Sequence, residues 1–444
     1  MRKSPVAALA PLLSLAVTPL VTPLVAQGTP VAILLPRSDR SQVTRVLESS
    51  PVIDGHNDLP WAVREDTVAP RDVEAYDLRE RSRGMTDIPR LQQGMVGGQF
   101  WSVYIPGERD DPNYASQGSS ASSPGYARVQ LEQIDIARRI IERYPELVPV
   151  RTAAELKDTY RRKGRIASLL GMEGGHAIEN SLGTLRAYYD LGVRYMTLTH
   201  NVTLDWADAA MDEPRHGGLT PFGEEVVREM NRLGMMVDLA HVSPATMSDA
   251  LDVSEAPVIF SHSSARAITD SPRNVPDSIL SRLPGNGGVV MVTFVPGFVS
   301  QEVVDWGKHA EEAVAAIRQR VGSDSAAIAS ATAEWLASNP RPRATIANVA
   351  DHIEHVRDVA GIDHVGLGGD FDGITETVLG LEDVARYPTL FLELSRRGWS
   401  EGDMRKLASE NVLRAFTQAE EVARRLQGER APSTRTIQEL DGNL

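Results

Sequence analysis

The sequence predicts a (β/α)8 TIM-like barrel, class α/β, with helical insertions and with its site at the C-terminal ends of the strands. The chain alternates eight apolar runs with amphipathic stretches, the runs being 51–55, 98–105, 166–172, 193–199, 235–240, 257–261, 288–294 and 364–369. Most are rich in Val, Ile, Met and Phe without strict polar alternation, as strands covered on both faces are. His56 with Asp58, Glu173, His241 and His262 each stand where such a run ends. A barrel opens all its strand C-termini on one face, so residues far apart in sequence can meet there around metal. A doubly wound open sheet is the rival architecture, weakened because no glycine-rich dinucleotide turn follows the first run.

The 444 residues suit one large barrel with insertions, and 42% hydrophobic content allows a substantial core. The net charge of -14, with no basic stripe carrying interleaved aromatics, argues against nucleic acid as a partner. Arg2 and Lys3 precede an apolar stretch from Val6 to Val25 that ends near Ala26 and Gln27, the pattern of a secretory signal over residues 1–27. Prolines at 11, 19 and 23 disfavour a stable spanning helix there. The chain has no cysteine, hence no disulfide, thiolate metal site or lipidated cysteine. The polar C-terminus is unlike an anchor-attachment tail. The expectation is an exported bacterial protein, periplasmic or secreted, with no stable membrane anchor after signal cleavage.

Along the chain, residues 28–45 read as a leader of the mature protein, 46–420 as a single domain and 421–444 as a C-terminal tail. Tyr126 to Tyr144 is amphipathic, Leu182 to Leu191 forms a shorter helix, and Phe222 to Leu233 carries Val226, Val227, Met230 and Leu233 at helical spacing before a stop at Gly234. Residues 106–125 are rich in Gly, Ser, Asp and Pro, as surface loops are. Residues 300–345, rich in Ala, Glu and Arg with Trp306 and Trp335, are expected to form helices over or beside the barrel mouth.

In an extended segment, side chains at i and i+2 point the same way, so His56 and Asp58 can grip one ion together. Alone, His-x-Asp reads as a polar loop with a helix cap; the other strand-end donors turn the balance toward metal. Glu173, followed by Gly174-Gly175, can bridge two cations, and its small neighbours allow close approach. His241 and His262 would serve the second ion. Two ions sharing one carboxylate can also share a water, lower its pKa and polarise a substrate carbonyl. Zinc suits this imidazole-rich set, although manganese or cobalt fits similar geometry.

Seven segments, in order, resemble the membrane (renal) dipeptidase family of zinc peptidases. They are Val52-Ile-Asp-Gly-His-Asn-Asp-Leu-Pro-Trp61, Gly98-Gln-Phe-Trp-Ser-Val-Tyr104, Gly171-Met-Glu-Gly-Gly-His176, Thr197-Leu-Thr-His-Asn201, Val237-Asp-Leu-Ala-His-Val-Ser243, Val258-Ile-Phe-Ser-His-Ser-Ser264 and Gly366-Leu-Gly-Gly-Asp-Phe-Asp-Gly373. The resemblance spans about residues 45 to 420. It implies an amidohydrolase-type barrel with two Zn2+ and the hydrolysis of free dipeptides by a metal-bridging hydroxide, often with tolerance for a D-residue at the C-terminal position.

By the same resemblance, His56 and Asp58 hold one zinc, His241 and His262 the other, and Glu173 bridges. His200 contacts substrate and stabilises the oxyanion, Arg273 receives the substrate carboxylate, and Asp370 shuttles a proton to the leaving amine, with Asp372 as the alternative. Trp61 and Tyr104 wall the side-chain pocket or pack in the core. Animal members pair cysteines where Gly107 and Val202 stand here, so a disulfide-linked dimer is not implied, although a homodimer of another kind is compatible. A binuclear amidohydrolase acting on N-acyl amino acids, lactams or cyclic amides is the alternative function, and an exported non-catalytic binding protein the remote one. Of the other histidines, His364 should lie on the stability face, His176 beside the metal ligands, and His216, His309, His352 and His355 in solvent.

Overall fold

The computed structural model describes residues 37–107 and 125–442. Residues 1–27, residues 28–36 of the stretch expected as a leader, and residues 108–124 of the expected surface loop lie outside them. Nine parallel strands are described: β1 Val52–Asn57, β2 Val96–Ser102, β3 Leu147–Pro149, β4 Ile166–Glu173, β5 Val193–Thr197, β6 Met236–Asp238, β7 Ile259–Phe260, β8 Val289–Val292 and β9 Val365–Leu367. The strand order β2-β1-β9-β8-β7-β6-β5-β4-β3 is closed by pairing of β2 with β4. Eight strands therefore make a (β/α)8 TIM-like barrel, and each overlaps one of the apolar runs. β3 is the addition. It takes residues 166–168 of β4's edge, and β5 takes residues 170–173 of that same strand.

Most strands are shorter than the apolar runs that announced them. The run 235–240 continues past β6, because Leu239 and Ala240 are fully buried although the ladder has ended. Alternate strand positions divide between two apolar clusters, as a period of two requires. Ile53, Phe100, Leu169, Tyr195, Met236, Ile259 and Met291 join one cluster, together with Val412, Ala415 and Phe416 of the helix Asn411–Glu429. Val52, Trp101, Leu170, Met196, Val237 and Val290 join the other, shared with the surrounding helices.

The helices follow their punctuation. Pro221–Leu233 is capped by the Thr220 hydroxyl and stops at Gly234, whose φ of 85 is cheap only without a side chain. Tyr126–Arg143 and Leu182–Leu191 fall where the periodicity places them. The insertion contains Gln301–Val321 and Ser325–Ser338, joined by Trp306 and Trp335 with ring centroids 6.0 Å apart. Arg37–Ser49 is helical, so regular structure begins inside the stretch read as a leader. At the other end, helix Asn411–Glu429 runs past residue 420, and Asp441 in the helix Ile437–Asp441 accepts hydrogen bonds from Thr220 Oγ1 (2.6 Å) and Phe222 N (2.9 Å). No helix among the described residues is long and apolar enough to cross a membrane.

Three histidines expected in solvent are not there: His355 is half-buried, its Nε2 2.8 Å from Asp277 Oδ1. His216 is half-buried, with Nε2 on the Leu204 carbonyl at 2.9 Å. His352 is fully buried in the helix Ile346–Ala360, where its Nδ1 accepts from Ala265 N at 3.0 Å. Burial pushes the His352 imidazole down to about 4. The unfolded chain takes up this proton as pH falls through about 6.5, while the folded chain does so only near 4. Stability is therefore complete above about 6.5 and falls by up to about 3 kcal/mol toward pH 4. His352→Asn, which keeps an acceptor but cannot titrate, should narrow its urea-stability gap to wild type between pH 7.5 and 4.5. A constant gap would show that this imidazole titrates normally in the fold.

Candidate metal centre

The donors named above leave the strand ends on one face of the barrel. His56 lies within β1, and Asp58 follows it at the start of the helix Leu59–Arg64. Glu173 ends β4, His241 comes three residues after β6, and His262 two after β7. The structure brings all five together. Glu173 Oε1 is 2.9 Å from His241 Nε2 and 3.4 Å from His262 Nε2, while its Oε2 is 3.4 Å from His56 Nε2. His56 Nε2 is 3.2 Å from Asp58 Oδ2 and 4.0 Å from Asp370 Oδ1. Glu173 thus faces both halves of the set, and Ser102 Oγ donates to its Oε2 at 3.3 Å.

Each ligand-type imidazole is held by its other nitrogen. His56 Nδ1 meets Tyr195 OH at 2.9 Å, His241 Nδ1 meets Asn201 Oδ1 at 3.1 Å, and His262 Nδ1 meets Ser261 Oγ at 2.9 Å. These partners orient all three Nε2 atoms into the centre, an arrangement common around metals. Composition and spacing did not point to Tyr195, Asn201 or Ser261, because each lies in or beside an apolar run.

The residues fit divalent cations. Burial pushes His241 and His262 well below the usual histidine range, so both are neutral near pH 7. With their Nδ1 protons directed outward, their Nε2 lone pairs face each other at 2.9 Å beside the Glu173 carboxylate. Burial alone would raise Glu173, but the adjacent His56 imidazole holds it well below the usual carboxylate range. The buried Asp58 Oδ1 has no hydrogen-bond partner among the described residues. Acceptors converge in this way around positive charge. Three groups in the set have ligand atoms within 4.8 Å of one another: His56 with Glu173 and His262, Glu173 with His200 and His241, and His56 with Asp58 and Asp370.

The remaining expected residues line a cavity of about 450 Å³ over this centre, among them Trp61, Tyr104, His200, Arg273 and Asp370. Trp61 and Tyr104 stand edge to face with centroids 4.9 Å apart, and Tyr104 is 4.8 Å from the His200 ring. Arg273 is buried, its guanidinium carbon 5.2 Å from the centroid of Phe298, with Nη1 unpartnered among the described residues. Burial and the charges of Asp58 and Glu173 push Asp370 well above the usual range. Asp372 turns elsewhere: Met85 N donates to its Oδ1 at 2.6 Å, and burial raises it to about 6. His176 turns to the Ile105 carbonyl at 3.1 Å, and His364 to that of Gly288 at 2.7 Å.

The backbone around the centre is unusual. His241, Asp370 and Asp372 have φ of 67, 62 and 66, in the left-handed region that side chains other than glycine occupy at a cost. Gly373 admits close approach, because a Cβ there would stand 2.3 Å from Asp58 Oδ2 and 2.6 Å from Asp370 Oδ1.

The profile of the membrane dipeptidase family, peptidase family M19, matches residues 40–430. Dipeptidase 3 of Mus musculus is 39% identical over 395 residues, covering 88% of this chain and 69% of the mouse protein. A metallo peptidase from Rhodobacter sphaeroides, solved with a phosphinate mimic of the dipeptide L-Ala-D-Ala, is 26% identical, with TM-score 0.65 over 83% of this chain and 99% of that one. The probable dipeptidase PvdM from Pseudomonas aeruginosa shares the fold at 22% identity, with TM-score 0.72 over 88% of this chain and 100% of that one. The chain belongs to the membrane dipeptidase family, and is a metallopeptidase that hydrolyses dipeptides.

Proposed function

We propose that the protein is an exported zinc dipeptidase, with residues 1–27 as its signal, that cleaves free dipeptides at a two-cation centre. The observation carrying this reading is the placement of Glu173 between two donor sets, with Arg273 at the wall of the same small cavity. His56 and Asp58 would hold one Zn2+, His241 and His262 the other, and Glu173 both. A set of three imidazoles and two carboxylates suits zinc. When bound, the pair supplies an acidified water and polarises the scissile carbonyl.

The chain's own groups do the remaining work. The Arg273 guanidinium, buried beside Phe298, receives the substrate's carboxylate in a planar fork. His200 Nε2, 4.0 Å from Glu173 Oε1, donates to the developing oxyanion. Asp370 Oδ1 carries a proton from the attacking water to the departing amine. Asp370 is preferred over Asp372 because it lines the cavity, whereas Asp372 is occupied by Met85 N. Trp61 and Tyr104 confine the substrate at the cavity wall.

Elemental analysis of the purified protein should give two zinc equivalents. A panel of free dipeptides should be hydrolysed, with activity lost to chelator and restored by Zn2+. Turnover of N-acyl amino acids or cyclic amides with no turnover of any dipeptide would replace this reading with the broader amidohydrolase one. Two equivalents of metal without hydrolysis of any substrate would revive the binding-protein reading.

A further inference from the structure

Asp238 is fully buried at the end of β6, and the reaction outlined above gives it no task. Its Oδ1 accepts from Ser261 N (2.8 Å) and Ala240 N (3.1 Å), and its Oδ2 from Ser261 Oγ (2.6 Å) and Thr197 Oγ1 (2.5 Å). A carboxylate only accepts, so the Ser261 hydroxyl proton is committed to Asp238. The Ser261 oxygen can then only accept from its other neighbour, His262 Nδ1, at 2.9 Å. The His262 proton is thereby placed on Nδ1, and the Nε2 lone pair is left facing Glu173 and His241.

We propose that Asp238 is a positioning residue that acts through the Ser261 hydroxyl to fix the tautomer of His262 and so present its Nε2 to the cation. His241, on the same half of the centre, is set separately by Asn201, whose side-chain oxygen accepts from Nδ1. Asp238 therefore reaches one ligand of the pair directly through a single hydroxyl. The inference rests on the metal-centre reading above and adds a residue that touches neither cation nor substrate.

The isosteric change Asp238→Asn gives a directional test. The amide oxygen can keep the two backbone donors, while the amide nitrogen now donates to the hydroxyls of Thr197 and Ser261. Ser261 must then turn its proton to His262 Nδ1, which drives the ring proton to Nε2 and into the cation site. Ser261→Ala is milder, since Nδ1 merely loses its acceptor.

The measurement is zinc release from the metal-loaded full chain to a competing chromophoric chelator. Melting of each metal-free form serves as the folding control. Losing the hydrogen-bond partner that orients a ligating histidine weakens metal binding by about 10–100-fold. Ser261→Ala should sit near the lower figure and Asp238→Asn at or above the upper one, with metal-free melting close to wild type. Long-range 15N spectra of histidine-labelled metal-free protein should show one ring changing from an Nδ1-H to an Nε2-H tautomer in Asp238→Asn only. Zinc affinity within twofold of wild type in Asp238→Asn, or a weaker site in Ser261→Ala than in Asp238→Asn, would overturn the proposal. Failure of the wild-type protein to bind two zinc ions would instead strike at the metal-centre reading.

Discussion

Glu173→Gln should remove metal and turnover together. The Glu173 carboxylate stands 2.9–3.4 Å from Nε2 of His241, His262 and His56, so among the described residues it is the anion that faces both of the proposed donor sets. The amide is neutral, and its NH2 end would aim protons at lone pairs meant for a cation. Bound zinc should fall from two equivalents to one or fewer, and kcat/KM for a good dipeptide by about 10,000-fold, about 5 kcal/mol of transition-state stabilisation. Mass spectrometry of the native protein reads the first quantity and steady-state kinetics the second. A variant that keeps two zinc ions and turns over within tenfold of wild type would exclude Glu173 as the shared ligand.

The second large effect concerns Arg273. Its guanidinium lies over Phe298, buried, with Nη1 unpartnered among the described residues and Nη2 3.5 Å from the His262 carbonyl. A buried donor fork left with so little to do fits a ligand carboxylate. Arg273→Met should lower kcat/KM for free dipeptides by about 100–1,000-fold, mainly through KM, as loss of a buried charge-assisted pair costs about 3–4 kcal/mol. Dipeptides with an amidated C-terminus should be poor substrates for wild type and change little in the variant. Equal losses on free and amidated dipeptides would show that Arg273 shapes the fold instead of reading the carboxylate.

Much of this was legible because the chemistry sits where hydrophobicity stops. His56, Glu173, His241 and His262 each end an apolar run, and a parallel barrel places all such ends on one face. What stayed hidden depends on register and packing. β3 has only three residues, one of them proline, too few to declare a periodicity. Tyr195 carries β5's pattern as any core aromatic would, and only the pairing of strands brings its hydroxyl to His56. Asp238 carries a signal of its own in the sequence: an acid within the run 235–240 cannot be buried without donors to receive it. His352 was misread by residue type, although it lies on the helical stripe of Val349, Ile353 and Val356, all of them buried.

The left-handed backbone at His241, Asp370 and Asp372 constrains how this enzyme can be improved. Substituting glycine at such a position relieves torsional strain but also gives the unfolded chain more freedom, and at 241 or 370 it deletes a side chain to which the proposed function gives a role. A search for heat-resistant variants should therefore concentrate on the outer helices and leave these three torsions alone. Libraries selected only for thermal endurance are liable to return sturdy barrels with impaired turnover, because the rim of the barrel invests folding energy in posture.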